Sequence, residues 1–206
     1  VDQGIEVDMP NLPTGLALPS ADARPFRCRI EMVGPRTVRM TVAPAGARVF
    51  DESPTWLGIV TEPTIGTDDP SAPAIDTTIE ASDDAVAIVT DHLRVEVGLH
   101  PFRVAVDDAD APVLRTSERL RQVAGLPIAP PMRFIEDPDG RGRMVLELEL
   151  AAHEEILGFG EQFSRLVKNG QQLSLSAEDA LGTGTGMAYK PAPVWHSTSG
   201  YLGFVN

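Results

Sequence analysis

The chain has one cysteine, Cys28, and therefore no internal disulfide; a small secreted module stapled by bridges is excluded, while the redox compartment stays open. Basic residues are scarce as well. Lys168 and Lys190 are the only lysines, 17 Lys and Arg face 30 Asp and Glu, and the formal net charge is -13 at pH 7. That sign repels phosphate backbones and anionic headgroups, so no nucleic acid and no membrane is expected as a partner. No apolar run approaches the roughly 20 residues of a membrane-spanning helix. The opening VDQGIEVDMP has neither a positive n-region nor an apolar h-region, which makes a cytoplasmic location the expectation. Val1 is not an initiator methionine and Asn206 falls within an apolar run, so both ends read as cut.

Motifs that announce common chemistries are missing too. No G-x-G-x-x-G opens a helix: Gly158, Gly160 and the run Gly182-Thr183-Gly184-Thr185-Gly186 have neither the spacing nor a βαβ setting. There is no P-loop and no H-E-x-x-H. His92, His100, His153 and His196 are spaced as surface or structural histidines, so no metal site is expected. Ser197 and Ser199 lie near His196 without a nucleophile elbow. Glu178 and Asp179 are adjacent, and adjacent residues of an extended chain point to opposite sides. They cannot face each other across a glycosidic bond as an acid and nucleophile pair, which stand about 5 to 9.5 Å apart.

What the chain does have is length, 42% hydrophobic residues and a period of two. A chain of this size buries about 70% of its unfolded surface and needs no staple. Eighteen glycines and eighteen prolines punctuate short alternating runs. In FRCRIEMV one face collects Phe26, Cys28, Ile30 and Met32; after Gly34-Pro35 the next run turns Val38, Met40 and Val42 inward, which predicts an antiparallel hairpin. Leu93, Val95 and Val97, then Phe102, Val104 and Val106, then Met144, Leu146, Leu148 and Leu150 repeat the pattern. Asp137-Pro138-Asp139-Gly140 has the chemistry of a hairpin turn. SERLRQVA around Arg119 is a modest helix candidate that fits a strand equally well. Repeated short antiparallel strands in one domain, 1–206, predict an all-β sandwich or barrel.

Two stretches depart from this pattern. From Val49 to Leu93 there are ten acidic residues, four prolines and no Lys or Arg, which predicts a solvated acidic excursion near 51–84. From Ile156 onward the chain reads as a glycine-rich, aromatic-bearing loop system ending in a short strand, YLGFVN. Glycines 158 and 160 flank Phe159, the arrangement of a bulge or a close backbone approach. The loop 176–190 has too few apolar residues to bury itself, and long loops on a rigid sandwich are where binding residues concentrate. Glu178 and Asp179 can accept hydrogen bonds from sugar hydroxyls, and Tyr189, Trp195 or Tyr201 can stack on a sugar face.

GFGEQFSRLVKNGQ, EDALGTGTGMAYKPAP and STSGYLGFVN resemble the end of the N-terminal β-sandwich of glycoside hydrolase family 31, the retaining α-glucosidases and α-xylosidases. The resemblance extends upstream through PFRCRIEMVGPRTVRMTVAPAG, FDESPTWL and LRVEVGLHPFRVAVDDADAPVL, and the LVKNGQ wording is closest to the α-xylosidase branch. It implies an antiparallel supersandwich of galactose-mutarotase type, preceding a catalytic (β/α)8 barrel that carries both catalytic aspartates. By this resemblance the chain holds no catalytic residue, needs no cofactor, is inactive alone, packs on its own C-terminal barrel and contributes a rim loop to an α-linked oligosaccharide site. The family's hydroxyl-binding aspartate matches Asp179, with Glu178 and Thr183 flanking it; Tyr189 and Lys190 match an Ala-Tyr-Lys signature as loop anchors. Ser176 and Ala177 stand where the family has Trp-Asn, and Pro191-Ala192-Pro193-Val194 where it has Asn and Phe, which puts the presentation of Asp179 and substrate choice in question. A homo-oligomer is compatible with this reading. The alternatives are a stand-alone carbohydrate-binding module and an aldose-epimerase-like enzyme, which would need His153 or His196 beside a carboxylate on one sugar.

Overall fold

The computed structural model describes residues 4–9, 23–46, 75–99, 102–109, 111–117, 121–123, 126–129, 131–136, 139, 141–184 and 186–205. Every regular element among them is a strand, and every strand pairing is antiparallel. The backbone gathers into two compact units, Val1–Glu149 and Leu150–Asn206.

The first unit holds β1 (Gly4–Met9), β2 (Ala23–Arg24), β3 (Phe26–Gly34), β4 (Thr37–Pro44), β5 (Thr78–Ala81), β6 (Ala85–Val89) and β7 (Leu93–Leu99). It continues with β8 (Phe102–Asp108), β9 (Ala111–Arg115), β10 (Arg121–Val123), β11 (Leu126–Ala129), β12 (Met132–Glu136) and β13 (Gly142–Leu146). Their sheet orders are β1-β3-β4, β5-β6-β7-β8-β9 and β13-β12-β2, with β10-β11 as a separate hairpin. Phe26, Cys28, Ile30 and Met32 are buried on one side of β3, and Gly34 pairs with Thr37 across the expected turn. Leu93, Val95 and Val97 of β7 and Phe102 and Val104 of β8 are buried in the same core, joined by Ile5, Ile88 and Met132. The rings of Phe26 and Phe102 meet edge to face at 5.9 Å and 89°. Since β3 and β8 belong to different sheets, that contact is one of sheet on sheet, the packing of a sandwich. Cys28 lies inside this core, and burial pushes its thiol up to about 12. It is an inert filler.

Some expectations change here. Met144 and Leu146 share a face of β13 as their spacing demands, but both are more than a third exposed, as is Leu150; the strand ends at Leu146 and Leu148 leaves it to bridge Thr116. Alternation tells which residues share a face and not whether anything covers that face. Within the acidic stretch, Thr78–Ala81 is an exposed edge strand, not loop; residues 47–74, FDESPTWL among them, lie outside the described residues. Of SERLRQVA, Arg121–Val123 is strand. The hairpin β12–β13 forms around the turn predicted from Asp137 to Gly140, of which only Asp139 is described. No helix among the described residues is long and apolar enough to cross a membrane.

In the second unit β14 (Ile156–Gly160), β15 (Pro191–Ser197) and β16 (Leu202–Phe204) form a sheet in chain order. The sequence pattern shows only the last of them. Glycine and proline hide β14 and β15, yet both pair, Ile156 with Ser197 across β14–β15 and His196 with Leu202 across β15–β16. Everything from Glu161 to Lys190 is one excursion between two adjacent strands, closed at its neck by the Glu161 N–H donating to the Lys190 carbonyl at 2.9 Å.

Candidate functional site

The neck is built by a bulge. The β14–β15 register shifts between Gly158 and Gly160, as the two glycines led one to expect, and φ is +116° and +74° at these residues. A Cβ on Gly158 would stand 2.7 Å from the Val194 carbonyl oxygen, and one on Gly160 only 2.4 Å from that of Lys190. Between them Phe159 is forced to φ +68°, which re-aims its ring onto Trp195 with centroids 5.9 Å apart and planes 17° from parallel. The indole also lies over Gly203, where a Cβ would come within 2.1 Å of Trp195 Cζ2. Trp195 is thus a packing residue of the sheet.

The first half of the excursion is held by the polar residues of LVKNGQ. Asn169 stands in for a strand edge: its Oδ1 accepts from the Ile156 N–H at 2.9 Å and its Nδ2 donates to the Glu154 carbonyl at 2.7 Å. The Lys168 N–H donates to the Ile156 carbonyl at 2.7 Å, while the buried Nζ donates to Ser164 Oγ at 2.9 Å and the Arg165 carbonyl at 2.6 Å. Gln171 Nε2 donates to the Val167 carbonyl at 2.5 Å. These contacts organise backbone with few apolar neighbours, and nothing in the local sequence assigns them that work.

Beneath the sheet's far end sits Glu154, buried with Ser197. Its carboxylate accepts from Ser197 Oγ and, at 3.0 Å, from the Ala151 N–H. Burial alone would raise its pKa, but the hydrogen bonds from Ser197, Ala151, Tyr201 and Ser199 outweigh it and hold the carboxyl below its ordinary value. Tyr201 responds in the opposite sense, pushed up by burial and by the Glu154 carboxylate. A depressed carboxyl contributes stability that is present above the unfolded-state pKa and is lost as pH falls through the folded one. The urea midpoint of the chain should therefore drop as pH falls below the ordinary glutamate value of about 4.5, and Glu154→Gln should flatten that drop, as chemical denaturation at a series of pH values would show. Ser197 and Tyr201 are committed to this cluster, and His153 and His196 are exposed without a hydrogen bond to a carboxylate among the described residues. The geometry of an aldose epimerase is not assembled by them.

The second half of the excursion carries the predicted rim. Ala177 and Ala188 form an isolated parallel bridge, and the Glu178 N–H donates to the Ala188 carbonyl at 3.0 Å. Ala180 and Ala188, small enough to be drawn under the loop, are buried at 1% and 3% exposure. Between these pins Asp179 stands exposed, and its Oδ1 accepts from Tyr189 Oη at 2.7 Å and from the Leu181 N–H at 3.3 Å. Glu178 turns to Ser176, whose Oγ donates to Oε1 at 2.5 Å. The structure therefore brings Asp179 and Tyr189 together, while Glu178 faces another partner. Thr183 is exposed in the turn with no hydrogen bond to either, and Lys190 anchors through its carbonyl at the neck. Among the described residues no three His, Cys, Asp or Glu side chains converge as a metal site.

Residues 27–206, the excursion included, match the Glycosyl hydrolase 31 N-terminal galactose mutarotase-like domain. The chain belongs to this family. Over 66 residues the glycoside hydrolase family 31 domain is 42% identical to the alpha-xylosidase of Emericella nidulans, a match covering 32% of the chain and 8% of that protein. The fold matches the GH31 alpha-xylosidase of Xanthomonas citri with a TM-score of 0.62 at 19% identity, over 98% of the chain and 18% of the other. It likewise matches the Flavobacterium johnsoniae GH31 dextranase complexed with isomaltotriose, with a TM-score of 0.61 at 17% identity, over 97% and 21% of the two chains. The galactose-mutarotase-like all-β class read from the sequence is thus the one the molecule adopts. The chain spans a small part of the length of each of these relatives.

Proposed function

We propose that this chain is the amino-terminal domain of a retaining α-glycosidase that removes terminal α-linked xylose or glucose, with xylose preferred, and that its 176–190 loop forms part of the substrate rim. The observation that carries the site is the exposed Asp179 carboxylate held at a pinned loop tip, at the position where the family resemblance puts a hydroxyl-binding aspartate. The preference for xylose is supported by the α-xylosidase name of the curated relative.

On this reading the chemistry belongs to two barrel aspartates outside this chain. One attacks the anomeric carbon to form a glycosyl-enzyme while the other protonates the leaving oxygen, then activates the water that releases the sugar. The domain binds and orients. Asp179 accepts a hydrogen bond from a sugar hydroxyl beside the scissile bond, and the exposed face of Tyr189, 53% accessible, lies next to it. A hydroxyl bound to a carboxylate contributes about 1.5 to 3 kcal/mol. Asp179→Ala in the whole polypeptide should accordingly lower kcat/KM on an α-xylosyl-glucose disaccharide by about 10- to 150-fold. An unchanged value would remove Asp179 from the site. A higher kcat/KM on 4-nitrophenyl α-glucoside than on the α-xyloside would reverse the substrate preference.

A further inference from the structure

We propose that Tyr189 is a positioning residue that locks Asp179 with one carboxylate oxygen closed and the other open, so that the rim loop recognises a single sugar hydroxyl and not a vicinal pair. This rests on the assignment of Asp179 to the substrate rim. Oδ1 already accepts two donors, Tyr189 Oη at 2.7 Å and the Leu181 N–H at 3.3 Å, and Oδ2 accepts none from any described residue. A carboxylate offers about four lone-pair sites, and one that is free to rotate can take two hydroxyls side by side. With Oδ1 occupied on both sides, Oδ2 alone is left to accept, and the two hydroxyls of a vicinal pair cannot be divided between the two oxygens.

The lock is well founded in the backbone. Asp179 precedes the buried Ala180, and Tyr189 follows the buried Ala188, so each partner hangs from an anchored neighbour. The Ala177–Ala188 bridge and the bond from the Glu178 N–H to the Ala188 carbonyl join the two arms immediately below. The Tyr189–Asp179 bond closes the same pair of arms at the exposed end, ten residues apart in sequence. Both side chains are exposed, so this bond adds little to folding. Its effect falls on where the carboxylate points, and misplacing a binding group is felt in turnover.

The test is a double-mutant cycle in the whole polypeptide with Tyr189→Phe and Asp179→Ala, read as kcat and KM on an α-xylosyl-glucose disaccharide, beside the thermal midpoint. Tyr189→Phe keeps the ring and removes only the donor. It should lower kcat/KM by about tenfold with an unchanged midpoint, and should cost nothing further once Asp179 is alanine. Among monodeoxy analogues of the disaccharide, one alone should abolish the difference between wild type and Asp179→Ala. Independent losses in the double variant, a Tyr189→Phe enzyme with wild-type kinetics, a midpoint that falls with activity, or two deoxy positions acting through Asp179 would each overturn the lock. Those results leave the rim assignment standing; an Asp179→Ala enzyme with wild-type kinetics removes both.

Discussion

Gly160→Val is expected to abolish the folded state of the second unit. Gly160 has φ +74°, and its missing Cβ would meet the Lys190 carbonyl oxygen at 2.4 Å, Ala192 N at 2.5 Å and the Pro191 carbonyl carbon at 2.9 Å. All three are backbone atoms of the paired strand, so no side chain can swing away to make room. A non-glycine residue at such a φ costs about 1 to 2 kcal/mol before any clash, and a β-branched one costs more. Opening the β14–β15 pair then breaks the bond at the neck from the Glu161 N–H to the Lys190 carbonyl and frees the whole excursion. The combined loss is about 4 kcal/mol or more, a large fraction of the 5 to 15 kcal/mol that holds a typical domain. Urea unfolding followed by near-ultraviolet circular dichroism of the stacked Phe159–Trp195 pair would report it. Gly184→Ala is the matched control: nothing lies within 4 Å of the added carbon and φ is not in the left-handed region, so the midpoint should not move.

Phe102→Ala should cost nearly as much in the first unit, for a different reason. The ring is 1% exposed, stands edge-on to Phe26 and joins the five-stranded sheet to the β1-β3-β4 sheet. Truncation removes the transfer free energy of the ring and leaves a cavity beside Phe26 in the core that the two sheets share. Such changes cost about 3 to 5 kcal/mol. Because an aromatic edge contact is worth about 0.5 to 1.5 kcal/mol beyond area, the double variant with Phe26→Ala should lose less than the sum of the singles by that amount. Strict additivity in chemical denaturation would show that the two rings contribute independently.

The legibility of the two units differs along the same line. Strands β3, β7 and β8 alternate apolar and polar side chains, and their period is a local property that survives into the fold: the face that reads apolar is the face that is buried, whereas on β4 Val38, Met40 and Val42 are only partly buried and the buried residue is Ala43 on the other face. Met144 and Leu146 obey the same period and stay exposed, because coverage depends on what the rest of the molecule brings to that face. Strands β14 and β15 show no such pattern. Their glycines and prolines are chosen by a bulge and by close backbone approach, requirements set by a partner more than thirty residues away. For the same reason the LVKNGQ segment does not reveal that Lys168, Asn169 and Gln171 brace a loop, and nothing local points to Glu154, whose partner Ser197 lies 43 residues on.

For the site, residue type and family resemblance singled out Asp179, Glu178, Thr183, Tyr189 and Lys190 as one group. Only the folded chain separates them, since hydrogen bonds at 2.5 to 3 Å depend on positions that sequence spacing does not specify. The amino-acid sequence by itself determined the all-β class, the core faces of β3, β7 and β8, the glycine bulge and the family. The tertiary structure decided that Glu178 turns to Ser176, that Trp195 packs against Phe159 and Gly203, and that Asp179 is held by Tyr189 through Oδ1. The division has a single physical cause: strand periodicity is written by each residue's nearest neighbours along the chain, whereas the orientation of a carboxylate is set by donors that only the fold brings within reach.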